Sequence, residues 1–344
     1  MSIQLHFVGL YPIDLSQKST QRVEVSDKEA AIIAYTADLI NTLLDNQTNR
    51  VFKFRSLTTE VSASISKMTT TPDYDRAPQV IADRLLNTEK ETQKKYDRLT
   101  KLMKGSLVQA SFTQDGQKYI VISKVDHHAF LDEADLEKHI GMPYEKRVLK
   151  ACLIPITKDG KFDRVSLYDT NAKISEYWWK DFLELVEERS DEQNTKTAFY
   201  STEQLLVNQV KPKSKADYIF LRNDLVGYFR THSSFSHADL VNTVFENYVP
   251  SVPTIDATKL KARALQLPQQ KKFDQQFNIE NKVVRAKYSN VIELRDNLEL
   301  LMKADVPNLA TVIQPFKEKG IKGIKIFTDS GWEYFNRKVA GQSK

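Results

Sequence analysis

The run LVQASFTQDGQKYIVISKV, residues 107–125, decides the fold of the first half of the chain. Its two apolar segments flank Asp115-Gly116, a dipeptide that supplies the positive φ angles of a tight hairpin turn. A second run, CLIPITKDGKFDRVSLYD at 152–169, repeats this pattern around Asp159-Gly160. Together the two runs predict four antiparallel strands.

The segments around these hairpins predict further strands and amphipathic helices. Apolar residues at alternating spacing predict strands, and apolar residues at helical spacing predict helices. The predicted strands lie at 3–10, 50–54, 282–289, 320–328 and 331–336, and the predicted helices at 77–104, 175–189, 216–230 and 258–266. Residues 130–139 are expected to form a loop or short helix between the hairpins. The fold class predicted is α+β: an antiparallel sheet with packed helices, then a helical segment and a small basic β-containing C-terminal part.

The chain length and a polar stretch suggest two domains. A chain of 344 residues is long enough for two ordinary domains. The stretch QVKPKSK at 209–215 is polar and contains proline, which is typical of a linker or helix boundary. We therefore predict an α+β core domain over 1–207 and a basic helical and β domain over 208–344.

Composition favours a packed protein of a reducing compartment. Hydrophobic residues make up 41% and charged residues 28%, which allows a core and argues against wholesale disorder. The single cysteine, Cys152, excludes an internal disulfide framework and is expected to be a buried structural residue. No apolar run approaches the roughly 20 residues that span a bilayer. We expect a cytoplasmic protein without a membrane partner.

Charge is distributed unevenly along the chain. Residues 208–344 contain 22 Lys and Arg against 14 Asp and Glu, whereas residues 1–207 contain 28 against 31. Such asymmetry suggests that the basic part meets a polyanion, although a solvated basic surface is the alternative.

The basic residues of the second part predict a double-stranded DNA partner. Lysines and arginines gain affinity for DNA by releasing counterions, whatever the base sequence. No helix-turn-helix, zinc-finger or RNA-recognition pattern accompanies them, so we expect little sequence specificity. The predicted phosphate-contacting residues are Lys211, Lys213, Lys215, Lys259, Lys261, Arg263, Lys271, Lys272, Arg285, Lys287, Lys322 and Lys325.

The triplet Asp126-His127-His128 suggests a rival hypothesis. It follows a predicted strand, as it would in a metal-dependent nuclease or phosphoesterase. Such a two-metal site also needs further aspartates, and the one upstream pair, Asp73 and Asp75, has no strand before it. We therefore favour a polar strand end, with no metal, no cofactor and no catalytic residue. A protein–protein adaptor is the third interpretation.

One family shows the same order of segments. The stretches GSLVQASF (105–112), KYIVISKVDHHAFLDEADLEK (118–138), RVLKACLIPI (147–156) and YWWKDFLELVEERSDEQNTKTAF (177–199) resemble the core of the bacterial nucleoid-associated protein family, NdpA-like. The resemblance implies a non-enzymatic protein that binds double-stranded DNA in the nucleoid, within the cytoplasm.

The resemblance also bears on partners. The C-terminal half resembles the family more loosely, which leaves room for a specialised role such as anti-phage defence, with other nucleoid or defence proteins as partners. A homodimer would double the number of phosphate contacts and is a further expectation.

Overall fold

The structure is a computed structural model that describes residues 3–24, 29–45, 49–96, 102–131, 136–145, 149–171 and 173–336. The chain divides into two compact units, each assembled from separated segments. The first unit combines 1–197, 234–239 and 268–279, and the second combines 198–233, 240–267 and 280–344. The boundary expected at residue 207 lies inside a helix and stays a prediction.

The described chain contains both strands and α-helices. The strands are, in chain order, β1 (Ile3–Ile13), β2 (Arg50–Phe54), β3 (Gly105–Gln114), β4 (Gln117–Asp126), β5 (His128–Leu131), β6 (Lys138–Gly141), β7 (Leu149–Ile156), β8 (Arg164–Asp169), β9 (Leu185–Glu187), β10 (Ser234–Ser236), β11 (Gln276–Asn278), β12 (Asn290–Arg295), β13 (Leu298–Met302), β14 (Ile313–Glu318) and β15 (Ile321–Ile326). The α-helices are α1 (Glu29–Asp45), α2 (Glu60–Thr70), α3 (Arg76–Tyr96), α4 (Asp191–Gln209), α5 (Lys215–Thr231), α6 (His237–Val241), α7 (Ala257–Leu265), α8 (Leu267–Lys271), α9 (Leu309–Val312) and α10 (Asp329–Phe335). The predicted α+β class is confirmed.

An antiparallel sheet of seven strands forms the centre of the first unit, in the order β1-β3-β4-β7-β8-β2-β9. The predicted hairpins supply its four middle neighbours, β3, β4, β7 and β8. At the first turn, Asp115 and Gly116 have φ angles of 49° and 79°, and Gln114 pairs with Gln117. This is the two-residue turn that suits the twist of a hairpin.

Helices cover both faces of this sheet, so its central strands are buried on both sides. Alternate residues point to opposite faces of a strand. Accordingly Leu107 joins the core formed with α2 and α3, whereas its neighbour Val108 joins the core formed with α1. The fully buried Cys152 lies in the α2–α3 core, as expected of a structural cysteine, and burial raises the pKa of its thiol to about 12.

Some predicted elements of the first unit were wrong. The segment expected as one helix over 175–189 forms a π-helix at Tyr177–Phe182 and then strand β9, separated by Glu184 at a φ of 57°. Residues expected as a loop or helix form strands β5 and β6, which pair with each other. The helix expected to reach residue 104 ends at Tyr96 within the described residues.

The second unit contains helices followed by two separate two-stranded ribbons. Ser214 caps α5, because its Oγ accepts a hydrogen bond from the Asp217 backbone N–H. Strands β12 and β13 form one ribbon, and β14 and β15 form the other.

The final strand predicted for this unit was wrong. Residues 331–336 lie mostly in helix α10 rather than in a strand. The Thr328 hydroxyl begins this helix by accepting from the Gly331 backbone N–H. Among the described residues, no helix has the length and apolar character required to cross a bilayer.

Candidate nucleic-acid interface

The carboxylate of Asp126 belongs to a buried ionic cluster of the first unit. Lys124 is 3% exposed, and its Nζ lies 2.9 Å from Glu89 and 3.3 Å from Asp126. The Tyr177 hydroxyl donates to Glu89 over 3.2 Å. Buried charges are stable when paired and hydrogen-bonded in this way. The carboxylate of Asp126 is therefore part of a structural ion pair.

The histidines that follow Asp126 also have structural surroundings. The His127 backbone N–H donates to the Lys104 carbonyl, and its Nε2 lies 2.9 Å from the Ser106 hydroxyl. Burial lowers the pKa of His127. His128 is the first residue of β5. Across the described residues, no group of three His, Cys, Asp or Glu side chains is placed to hold a metal ion, so the rival hypothesis gains no ligand set there.

Lys211, Lys213 and Lys215 lie where α4 passes into α5, and all three are exposed. The Lys211 ammonium lies 5.1 Å from the centroid of the Tyr218 ring. Lys213 Nζ donates to the Thr254 carbonyl over 2.9 Å. Lys215 forms no ion pair with a described residue. This short connection therefore presents three cations without a carboxylate partner among the described residues.

The basic residues of α7 are partly neutralised. Lys259 Nζ lies 3.4 Å from the carboxylate of Asp256, the residue that caps the helix. Lys261 pairs with Glu246, and Arg263 donates to the side chain of Gln209. Residues 259 and 263 share a helix face, whereas residue 261 faces away from them. The helix thus places these three predicted residues on two different faces.

Lys271 and Lys272 belong to the first unit, unlike the other predicted residues. Lys271 ends α8, and Lys272 follows with a positive φ of 58°. Both side chains are exposed.

The strand predicted for Arg285 and Lys287 was wrong. Two 3₁₀ turns, Asn281–Val283 and Arg285–Lys287, occupy this segment. Residues two apart on a 3₁₀ turn do not share a face, since each turn contains about three residues. Arg285 and Lys287 are both exposed, but they point in different directions.

Lys322 and Lys325 lie on β15, as the strand prediction for this run indicated, but on opposite faces of the ribbon. Lys322 stands directly opposite Lys317 of β14, and Lys325 stands opposite Gln314. The Lys325 ammonium lies 5.3 Å from the centroid of the Phe316 ring. Sequence reasoning missed Lys317 and Lys319, although the Lys319-Gly320 turn between two alternating runs could have indicated a hairpin.

These observations define a class: an α+β protein whose second half presents exposed lysines and arginines. A family model described as nucleoid-associated protein YejK matches residues 14–328. The chain therefore belongs to this family of nucleoid-associated proteins, and the predicted resemblance is confirmed. No curated protein matches the chain. Family membership suggests nucleoid-associated DNA binding.

Proposed function

We propose that the chain binds duplex DNA with little sequence specificity, through phosphate contacts of the basic residues predicted over 208–344. The observation that carries this proposal is the exposure of nine of them without an ion-pair partner among the described residues. Within the described part of the chain no carboxylate pairs with Lys211, Lys213, Lys215, Lys271, Lys272, Arg285, Lys287, Lys322 or Lys325. Free cations on the surface can neutralise phosphates and release counterions without first breaking an ion pair.

The α7 residues are expected to contribute less. Lys259 and Lys261 each lie beside a carboxylate, which a phosphate would have to displace. Exposed pairs of this kind are weak, so the contribution of these lysines is reduced rather than abolished.

The residue types support low specificity. Ten of the twelve predicted residues are lysines, and only Arg263 and Arg285 are arginines. Lysine acts as a point charge, whereas arginine offers the planar fork that recognises a guanine edge through two hydrogen bonds. A lysine-rich surface suits the uniform phosphate backbone better than base edges.

A salt titration tests the proposal. Binding of the full chain to duplexes of unrelated sequence is measured against salt, alongside a variant with Lys211, Lys213, Lys215, Lys271 and Lys272 changed to Gln. The logarithm of affinity should fall with the logarithm of salt, with a slope of about −0.9 per phosphate contacted. We expect similar affinities for all duplexes and a shallower slope for the variant.

A control variant carries the same charge change within residues 1–207, outside the predicted set. It replaces five exposed lysines with Gln, namely Lys18, Lys53, Lys67, Lys94 and Lys158, and should keep the wild-type slope. If no duplex binds even at low salt, the proposal fails and the adaptor interpretation replaces it. Mn²⁺- or Mg²⁺-dependent DNA cleavage that His127→Ala abolishes would instead favour the nuclease.

Three finer expectations belong to this proposal. A homodimer would double the phosphate contacts, and light scattering of the free protein tests it. Nucleoid location follows from DNA binding and is tested by imaging a fluorescent fusion. The role in anti-phage defence, with its protein partners, stays a prediction, because the family match and the basic surface concern DNA binding rather than the process it serves.

A further inference from the structure

Strands β14 and β15 form a regular basic ribbon, defined as residues 313–326. Six residue pairs match across it without a bulge. Lys319 and Gly320 form its turn with φ angles of 46° and 84°. Two consecutive positive φ angles produce the tight turn that follows the natural twist of a hairpin. The ribbon is therefore a narrow, well-defined projection rather than an irregular loop.

One face of the basic ribbon is closed by its own side chains. Phe316 lies across Gly323, where an added Cβ would clash with the Phe316 ring. Lys325 extends over the same ring. An aromatic side chain that covers a cross-strand glycine stabilises a ribbon that has no wider sheet beside it.

The opposite face of the basic ribbon presents uncompensated charge. Lys317 and Lys322 stand directly opposite each other, and Lys319 lies at the turn. None of the three forms an ion pair with any residue that the structure describes, and all three are exposed. Like charges directly opposite each other destabilise a strand pair. A bound polyanion would remove this repulsion.

The dimensions of a two-stranded ribbon match one feature of duplex DNA. The major groove is about 12 Å wide and admits an α-helix or a two-stranded ribbon, whereas the minor groove is only about 6 Å wide. A ribbon seated in the major groove has a phosphate backbone on each side. Lysines on both strands could then reach phosphates while the turn points into the groove.

We propose that the basic ribbon lies in the major groove of duplex DNA, with Lys317, Lys319 and Lys322 contacting the flanking phosphates. This inference rests on the proposed function and adds Lys317 and Lys319 to its contacts. It also specifies which groove the protein occupies. Ile321 is 68% exposed next to the turn and would lie against base edges as an apolar contact.

The first test changes the three lysines in the full chain. A variant with Lys317→Gln, Lys319→Gln and Lys322→Gln should flatten the salt slope by roughly 0.9 per lysine, or about 2.7 altogether. The corresponding triple Lys→Arg variant keeps the charges and should keep the slope. A first-unit control, with Lys18, Lys53 and Lys158 changed to Gln, should also keep it.

The second test uses duplex DNA whose major groove is blocked by bulky groups. Cytosines carrying glucosylated 5-hydroxymethyl groups block the major groove but leave the phosphates and the minor groove in place. The wild-type chain should bind this duplex more weakly than an unmodified one, and the Gln variant should bind both equally. A minor-groove ligand such as netropsin should not compete.

The outcomes separate this inference from the proposed function. If the wild-type chain binds DNA but the ribbon Gln variant keeps its slope, the ribbon inference is overturned and DNA binding stands. If glucosylation has no effect while netropsin competes, the ribbon does not occupy the major groove. If the wild-type chain binds no duplex, both proposals fail together.

Discussion

One buried lysine of the first unit and two exposed lysines of the second unit play opposite roles. In the first unit, Lys124 is 3% exposed and is held by Glu89 and Asp126. In the basic ribbon of the second unit, Lys317 and Lys322 are exposed and face each other. The buried lysine stabilises a fold only while its partners remain, whereas the exposed lysines contribute nothing to packing. The same residue type is therefore structural at Lys124 of the first unit and available to a ligand at Lys317 and Lys322 of the second.

The ribbon formed by β12 and β13 can be compared with the basic ribbon inside the second unit. Two strands of similar length again form an exposed pair, but a bulge at Leu294 interrupts the register. Three acidic residues and one arginine occupy this acidic ribbon, against four lysines and one glutamate on the basic ribbon. The two ribbons are thus both exposed two-stranded hairpins that differ in charge, so the acidic one serves as an internal control.

The largest loss of stability is expected from cutting the chain at residue 207. A fragment 1–207 lacks Asp274, whose carboxylate accepts from Arg189 over 3.1 Å and from Asn194 over 2.8 Å. Removing one partner of a buried ion pair costs about 3–5 kcal/mol, a large part of the stability of a typical domain. We expect a lower urea midpoint or no cooperative transition, measured by circular dichroism.

The matched control for this cut is the fragment 1–279, which contains every segment of the first unit. It should unfold with a midpoint higher than that of fragment 1–207. Equal midpoints for the two fragments would support an independent domain ending at residue 207 and would contradict the loss of stability expected for fragment 1–207.

The next effect concerns the buried pair in the first unit. Glu89→Ala leaves the buried ammonium of Lys124 with only the Asp126 carboxylate and the Met103 carbonyl among its described partners, and we expect a loss of about 3–5 kcal/mol in the free energy of unfolding. Glu89→Gln should cost less, because the amide oxygen can still accept from Lys124 and Tyr177. Urea unfolding measures both. A loss under about 1 kcal/mol for the alanine variant would show that this charge does not depend on its partner.

A smaller stability effect is expected on the ribbons. Replacing Lys317, Lys319 and Lys322 with Gln should change the free energy of unfolding by less than about 0.5 kcal/mol, since exposed side chains without contacts contribute little. The same substitutions should weaken DNA binding. Glu293→Gln with Glu299→Gln on the acidic ribbon should leave the salt slope unchanged. An equal loss of DNA binding in both ribbon variants would contradict the contrast.

The smallest effect on stability is expected at His127, whose side chain is partly buried. Burial lowers the pKa of His127, so the unfolded chain takes up the proton first as the pH falls. Its contribution to stability is therefore present above about pH 6.5, the ordinary histidine value, and is lost as the pH falls through the folded pKa. Unfolding of wild type and His127→Gln between pH 5 and pH 8 measures this. An NMR titration midpoint above the ordinary value would contradict it.

The central sheet could be predicted because its signals are local. The dipeptide Asp115-Gly116 indicates a tight turn, and the alternating apolar runs on each side of it indicate the two strands. The place of β2 between β8 and β9 had no such signal. Residue 52 pairs with residues 165 and 187, and a sequence does not record which distant strands will meet.

The wrong elements fail for a common reason: short apolar patterns fit more than one structure. Trp178, Phe182 and Leu185 are all fully buried, so their helical spacing is equally satisfied by a π-helix followed by a strand. In the segment that contains Arg285, two 3₁₀ turns replace the expected strand, and the buried residue is Val284, which lies between them.

The candidate site was predictable in composition but not in arrangement. Charge asymmetry pointed to the second half of the chain, although exposed lysines occur in both halves. The pairing of Lys317 with Lys322 depends on strand register, which charge counting does not give. The carboxylates that partly neutralise α7 come from elsewhere in the fold, as Glu246 does for Lys261.

The interleaved segments of the first unit have a consequence for biosynthesis. Domains usually fold from the N-terminus while the chain is being made. Here the first unit needs residues 268–279, which are translated after most of the helices of the second unit. A ribosome that stalled before residue 274 would hold all seven strands of the central sheet, while Arg189 and Asn194 would still lack the carboxylate that accepts their hydrogen bonds. The first unit is thus begun first on the ribosome but cannot be finished until most of the chain has been synthesised.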